Sequence, residues 1–426
     1  MPDPAPRLNV QALTEAFAQA GAVSAEQAKD SAKLVELASQ APVVRLVDAV
    51  LFEAVSRRAS DIHIEAFERD VFIRYRIDGR CYEVARPPKS LALAIASRIK
   101  VLANLDVAES RLPQDGRILL AVQERQIDLR VSSLPTLHGE SIVMRVLDKR
   151  ALDKTLGQLG MDAHTQQLVE RLIQRPHGLF LVTGPTGAGK TTTLYACLTQ
   201  LNKPEAKLIT TEDPVEYDLQ GLVQVAINQK IDLTFATCLR AILRHDPDVI
   251  MVGEIRDFET AQTAIQAALT GHLVFSTLHT NDAPGAVTRL LDMGVEPFLV
   301  TSTVIGVLAQ RLLRALCPQC RAPYEATPED LACLHLTADQ VEHHLMRATG
   351  CEACQGIGFK GRVGLYELLM MSEALRPLII ERASAGAVRE QAQAEGMRTL
   401  REDGIAKVLA GVTTAEEMIR ETQDYG

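Results

Sequence analysis

The stretch GPTGAGKT, Gly184 to Thr191, satisfies the spacing G-x-x-x-x-G-K-T. That pattern suits phosphate. Glycines let backbone N–H groups curl around the oxygens, and the first turn of a following helix adds partial positive charge. Lys190 would reach the terminal phosphates and Thr191 would ligate Mg²⁺. The run Gly184, Pro185, Thr186, Gly187, Ala188, Gly189, Lys190, Thr191 and Thr192 is therefore the candidate binding loop for a nucleoside triphosphate. A chance glycine-rich turn is the alternative, but strand-like LFLVTG precedes the loop and helix-like TTTLYACLTQL follows it, as the motif requires.

A bound triphosphate gives meaning to DVIMVGEIRD, Asp248 to Asp257. Five apolar or small residues run into the carboxylate of Glu254, with Gly253 where many nucleotide hydrolases place Asp. In a parallel sheet the carboxyl ends of the strands open onto the ligand crevice, so Glu254 there can orient an attacking water. TTEDPVE adds Glu212 and Asp213 at the end of another strand-like run, either to share that work or as an ordinary turn before Pro214. His272 and His279 bracket LVFSTL. His279, at the phosphate-facing end, is placed to contact or sense a γ-phosphate. His272 follows Gly271 at a helix terminus, where donation to backbone is the plainer role.

A second chemistry is written in CPQC and CEAC. Cys317 and Cys320, then Cys351 and Cys354, form two C-x-x-C pairs thirty residues apart. Each two-residue spacer folds into a knuckle that offers thiolates to a tetrahedral metal, so the four cysteines predict a closed, structural Zn²⁺ site; four reduced thiols are the alternative. His343 and His344 lie between the pairs, as spare ligands or as exposed loop histidines. Cys81, Cys197, Cys238 and Cys333 have no partner spacing, and Cys197 and Cys238 fall on apolar helical patterns as core fillers.

The elements that must position these groups follow from periodicity. Residues 1–40 read as two short helices, with Ser24 and Gln27 at capping-box spacing. Residues 41–150 read as an α+β domain. A helix through VVRLVDAVLFEAVSRRA precedes VFIRYRI and RCYEVA joined at Asp78-Gly79, which is a hairpin signal; a helix around SLALAIASRIKVLANLD and the strands RILLAVQ and QIDLRVS follow. In residues 151–315, GLFLVTG, KLITTEDP, DVIMVGE and HLVFSTLH alternate with helical segments, predicting a mostly parallel sheet covered on both faces. Asp257 can cap DFETAQTAIQAALTGH at its start and Gly271 can end that helix. FLVTSTVIGVLAQRLL, from Phe298, reaches Gln310 and Arg311 too soon to span a bilayer and reads as a buried helix. Residues 316–365 are the cysteine region, and 366–426 return to helical patterning.

The chain has 426 residues, 47% of them hydrophobic and 23% charged, enough for two to four structural units. A formal charge of -9, no Trp and 4% aromatics argue against a protein that embraces nucleic acid over its whole surface. The first residues, MPDPAPRLNVQALTEAF, lack the basic start and apolar core of a signal peptide. Together with the cysteine usage this predicts a cytoplasmic protein with reduced or metal-bound thiols.

Taken together, GPTGAGKTTTLY, ITTEDPVEY, LRHDPDVIMVGEIRD and TGHLVFSTLHTNDA resemble the Walker A, Asp box, Walker B and His box of the secretion ATPase superfamily, specifically the E-type ATPases of type II secretion and the similar assembly ATPases of type IV pili. The resemblance extends through ASDIHIEAF, IRYRIDG, RLPQDGRI, HGESIVMRVLD and the tetracysteine segment, over roughly residues 41–370. It implies an α/β fold: a RecA-like P-loop ATPase core preceded by a PAS-like α+β domain, with a small tetracysteine zinc subdomain and C-terminal helices. It makes Gly253-Glu254 the family's normal form, with Glu254 activating water, Glu212 supporting it, and ATP, Mg²⁺ and Zn²⁺ as cofactors. It also implies that Arg130 in DLRVS and Arg145 in VMRVL approach the phosphates when the preceding domain closes. Read without the resemblance, both are equally solvated strand residues or ion-pair partners.

By the same resemblance the protein is a homo-oligomer, hexameric, peripheral at the bacterial inner membrane through platform proteins, and without a nucleic-acid partner. Only about forty residues precede the matching body, which predicts weaker recruitment or another membrane partner. Two rivals from other classes are a nucleic-acid translocase, which DNA or RNA would stimulate, and a non-catalytic assembly protein that ATP merely orders.

Overall fold

The computed structural model describes residues 10, 31–122, 125–148, 154–337, 340–341 and 344–422. The Ser24–Gln27 capping box and His343 lie outside them. The chain divides into two compact units, Met1–Ala151 and Leu152–Gly426.

In the first unit, α1 (Ser31–Ala38) and α2 (Ala41–Ser56) precede β1 (Asp61–Ala66), β2 (Val71–Ile77) and β3 (Arg80–Ala85); α3 (Ala92–Leu102) leads to β4 (Gln114–Val122), β5 (Arg125–Thr136) and β6 (Gly139–Asp148). The antiparallel sheet runs β3-β2-β1-β6-β5-β4. Strict alternation sends Ile62, Ile64, Ile73 and Tyr75 into one core with α2 and α3, as period-2 patterning requires. The predicted hairpin turns at Asp78 and Gly79, both with positive φ (48° and 89°), the backbone that selects Asp-Gly there. Lys100, almost wholly buried, pairs with Glu140 and donates to the Glu109 carbonyl at 2.8 Å, so its charge is matched inside the unit.

The second unit opens with α4 (Ala163–Ile173), β7 (Gly178–Thr183), α5 (Lys190–Leu201), β8 (Leu208–Glu212), β9 (Val223–Ala226), α6 (Phe235–Ile242), β10 (Val249–Val252), α7 (Phe258–Leu269), β11 (Leu273–Leu278), α8 (Ala283–Asp292), α9 (Pro297–Thr303) and β12 (Val304–Leu316). β13 (Ala322–Tyr324), α10 (Pro328–Leu334) and β14 (Leu345–Arg347) form an excursion, after which β15 (Phe359–Met370) returns, followed by α11 (Leu375–Ile380), α12 (Ala385–Ala394), α13 (Leu400–Leu409) and α14 (Ala415–Thr422). The seven-stranded sheet runs β15-β12-β7-β11-β10-β8-β9, parallel except for β15.

The four predicted strand runs are all buried along their length. Successive residues feed opposite cores: Leu179 and Leu181 pack with α6, α7 and α8, whereas Phe180 and Val182 pack with α4 and α5. Sequential burial of this kind is what a sheet with helices on both faces demands. Asp257 caps α7 by accepting the Thr260 amide at 2.8 Å, and Gly271 follows the helix at φ 107°.

One expectation is corrected. The run from Phe298 is not a single buried helix. It is helical only over α9, and from Val304 it becomes β12, parallel to β7 and buried almost throughout. An apolar strand buried on both faces has no period-2 signature, so its hydrophobicity cannot tell it from a core helix. Among the described residues no helix is long and apolar enough to cross a membrane.

Candidate active site

β7 delivers the chain to the phosphate loop and α5 begins at Lys190, so the loop sits at a helix N-terminus. Gly184, Gly187 and Gly189 have φ of 147°, 83° and 88°, a backbone other residues rarely adopt. A Cβ at Gly187 would meet nothing within 4 Å, so the loop's tip is open. Thr191 is exposed on the first turn, suited to a metal-bound phosphate. Lys190 is 9% exposed, and its Nζ donates to the carbonyls of Gly184 (2.7 Å) and Pro185 (3.1 Å). Burial pushes its pKa down to about 8, with the charge of Glu254 opposing the shift.

The sign of that shift yields a prediction. Phosphate restores the lysine's charge, so ADP affinity should be constant below about pH 8 and fall by up to roughly tenfold per pH unit above it. Calorimetric titrations in buffers of different ionisation enthalpy between about pH 7 and 9 should show proton uptake growing over the same range.

Glu254 lies two residues beyond β10, at the carboxyl end of the sheet, and its side chain is 12% exposed. One oxygen pairs with Arg256 at 2.5 Å and the other with His279 Nε2 at 3.2 Å. Gly253 is tightly held. A Cβ there would lie 3.1 Å from the Thr211 carbonyl oxygen and 3.2 Å from the Phe235 ring, so the strand has little room for the Asp that other nucleotide hydrolases carry. Glu212, 4% exposed, is occupied: Tyr195 donates to one oxygen, while Thr210 (2.5 Å) and Gln224 (3.0 Å) donate to the other. That cage ties β8 to α5 and β9, and suits Glu212 to holding the site's walls.

The structure thus brings Lys190, Glu254 and His279 together. It does not bring His272, whose Nδ1 lies 2.9 Å from the Ala267 carbonyl at the amino end of β11, a strand of six residues or about 20 Å away from the phosphate end. Its ring sits against the end of α7, apart from the Glu254–His279 pair. Arg130 and Arg145 are direct cross-strand partners in the first unit, with Arg117 beyond Arg130 and Asp61 beyond Arg145, so one face of that sheet carries a row of guanidiniums. Arg145, 59% exposed, pairs with Asp61 at 3.3 Å.

Arg256 was not singled out by sequence. The signal was present, because residues two apart in an extended segment share a side, and Glu254 and Arg256 are so spaced just after β10.

The four cysteine sulfurs all lie within 4.8 Å of one another, with Cys317–Cys351, Cys320–Cys354 and Cys351–Cys354 at 3.9, 3.7 and 3.7 Å. Four thiolates held about 2.3 Å from a tetrahedral centre stand about 3.8 Å apart, so the set fits zinc. Burial opposes the Cys354 thiolate, but the amides of Cys351 and Gly358, each 3.1 Å from its sulfur, outweigh it and pull the pKa down to about 6. His344 is exposed and outside the cluster; Cys197 and Cys238 are buried core residues.

A parallel sheet with a glycine-rich loop entering a helix, and a carboxylate at the adjoining strand ends, defines a P-loop nucleotide-hydrolase class of site. Residues 36–420 match the family model described as Type II/IV secretion system protein, and the chain belongs to that family. It is 52% identical over 400 residues to the type II secretion system ATPase E of Vibrio cholerae, covering 94% of this chain and 79% of that one. It is 48% identical over 403 residues to the type IV pilus assembly ATPase PilB of Myxococcus xanthus, covering 94% and 71%. Among solved structures, the pilus retraction motor PilT with bound ADP matches at 27% identity and a TM-score of 0.57, over 88% of this chain and 96% of that one. The Legionella pneumophila ATPase DotB shares the fold at 21% identity and a TM-score of 0.64, over 87% and 93%.

Proposed function

We propose that this chain is an ATP-hydrolysing motor of a type II secretion apparatus, driving assembly of a pseudopilus and protein export across the outer membrane. One observation carries the reading: a phosphate loop and Glu254 are assembled at the same strand ends, in a chain half identical to type II secretion ATPases. A type IV pilus assembly ATPase is the second reading, favoured by the nearly equal likeness to the Myxococcus protein.

In this reading Lys190 and the loop amides hold the β- and γ-phosphates, Glu254 orients the attacking water and accepts its proton, and His279 and Arg256 hold Glu254 in place. Thr191 would hold Mg²⁺, which supplies charge neutralisation on the phosphates when bound. Cys317, Cys320, Cys351 and Cys354 would hold Zn²⁺, a structural cross-link. By the family resemblance, Arg130 and Arg145 would stabilise charge on the transferring phosphoryl group. The active form is a hexameric ring on the cytoplasmic face of the inner membrane, held there by platform proteins, and nucleic acid takes no part.

The test is Mg-ATP hydrolysis measured across protein concentration, with and without DNA. A specific rate that rises on assembly and ignores DNA is the expected result; a rate that requires DNA would favour a translocase instead. In the assembled protein, Arg145→Ala should slow hydrolysis by at least about tenfold, because a transition-state arginine is worth that much or more. A wild-type rate in that variant would remove Arg145 from the chemistry.

A further inference from the structure

Gln310 makes a set of contacts that the reading above leaves unused. It lies on β12 and is 2% exposed. Its amide nitrogen donates to the Ala188 carbonyl at 2.6 Å, inside the phosphate loop, and its amide oxygen accepts from the Thr193 hydroxyl at 2.7 Å, on the first turn of α5. The strand also sets the loop's glycines. A Cβ on Gly184 would overlap the Gln310 carbonyl oxygen, and one on Gly189 would lie 2.8 Å from the Gln310 amide nitrogen. Gly184 therefore lies against the backbone of β12, and Gly189 against the Gln310 side chain itself.

We infer that Gln310 is a positioning residue for nucleotide binding, a strut that fixes the direction of the loop's peptide groups. The peptide between Ala188 and Gly189 is planar and trans, so its C=O and N–H point in opposite directions. Holding the Ala188 carbonyl against β12 aims the Gly189 N–H away from the strand, toward the loop's open side, where an anion would accept it. The same side chain anchors Thr193, which keeps the N-terminal turn of α5 in register with the loop. A primary amide does both jobs, since it offers a donor and an acceptor a short distance apart; a carboxylate lacks the donor, and a thioether has no donor and only a weak acceptor. Gln310 touches no reacting atom, and its effect on nucleotide passes through Ala188 and Thr193.

The inference rests on the nucleotide reading of the loop, and the experiment separates the two. Full-length protein is titrated with the fluorescent N-methylanthraniloyl ADP, using wild type, Gln310→Met, which keeps the volume and loses both hydrogen bonds, and Thr193→Val, which keeps the helix and loses one. Expected are a Kd raised about tenfold in Gln310→Met and about threefold in Thr193→Val, with KM for ATP rising more than kcat falls. A residue that merely supported the fold would lower the melting temperature and leave the Kd of the folded protein unmoved. Should Gln310→Met fail to fold, Thr193→Val alone decides. Affinities within about twofold of wild type in the folded variants would overturn the role of Gln310, and wild-type protein that binds no analogue would overturn it together with the nucleotide reading.

Discussion

Glu254→Gln is expected to bind ADP about as tightly as the wild type while hydrolysing ATP at least about a hundredfold more slowly, the range seen when a positioned general base is removed. The two halves of this result have separate causes. Binding survives because the loop's amides and Lys190, and not Glu254, face the phosphates, and because Gln keeps the volume at a position only 12% exposed. Hydrolysis fails because an amide oxygen neither draws a proton from water nor carries the charge that orients it. The charge also matters to its neighbours. Glu254 raises the pKa of Lys190 against the effect of burial, so removing that charge should shift the onset of weakened ADP binding to lower pH. Arg256 and His279 meanwhile lose the carboxylate they share. A pH series of ADP affinity beside a single-turnover assay tests both statements. A variant that turned over at more than about a tenth of the wild-type rate would leave Glu254 as the polar end of a strand, and attention would pass to Asp213, whose charge is felt by Arg256.

What the sequence disclosed and what it hid follow one physical division. The phosphate loop is legible because its function needs particular backbone conformations, and only certain residues adopt them: Gly184, Gly187 and Gly189 all stand at positive φ. Caps and turns are legible for the same local reason, as Asp257 and the Asp78-Gly79 turn show. The strands around the site are short apolar runs bounded by breakers, and their lengths distinguish them from helices. β12 escapes that test because it follows α9 without a breaker, so a helix and a strand read as one apolar run. Its misreading concealed Gln310, which matters only because β12 lies beside β7 and so beneath the loop. The cage around Glu212 was hidden likewise. Tyr195, Thr210 and Gln224 come from α5, β8 and β9, and no local pattern states that these three elements meet. Sheet order is a long-range property, and side-chain partners across it inherit that illegibility.

The second large effect is expected at the cysteines. Purified protein should hold one zinc per chain, and Cys351→Ser with Cys354→Ser should abolish it and lower the melting temperature by roughly 5–15 °C, the shift that about 2–5 kcal/mol produces in a unit of this size. Structural zinc in isolated finger peptides contributes more, about 10 kcal/mol or above, because nothing else holds those chains folded. Here the excursion has other support. Leu334 of α10 and Leu345 of β14 pack into a cluster with Leu313, Leu365, Val408 and Met418, and Arg314 makes a buried pair with Glu417 at 2.7 Å. β12 and β15 stay registered from Gly306↔Met370 to Arg314↔Arg362 without any help from the sulfurs. Loss of zinc should therefore loosen the stretch between Cys320 and Cys351, read as faster cleavage there in limited proteolysis, while Gln310 and the phosphate loop keep their contacts and ADP affinity changes less than about threefold. Acid should mimic the substitution in part. Zinc needs thiolates and protons compete for them, so zinc retention should weaken progressively as the pH is lowered. A zinc content well below one per chain in protein prepared without chelator would mean four reduced thiols. A collapse of ADP affinity on zinc loss would mean that the cluster, and not the strand pairing, fixes β12 beneath the loop.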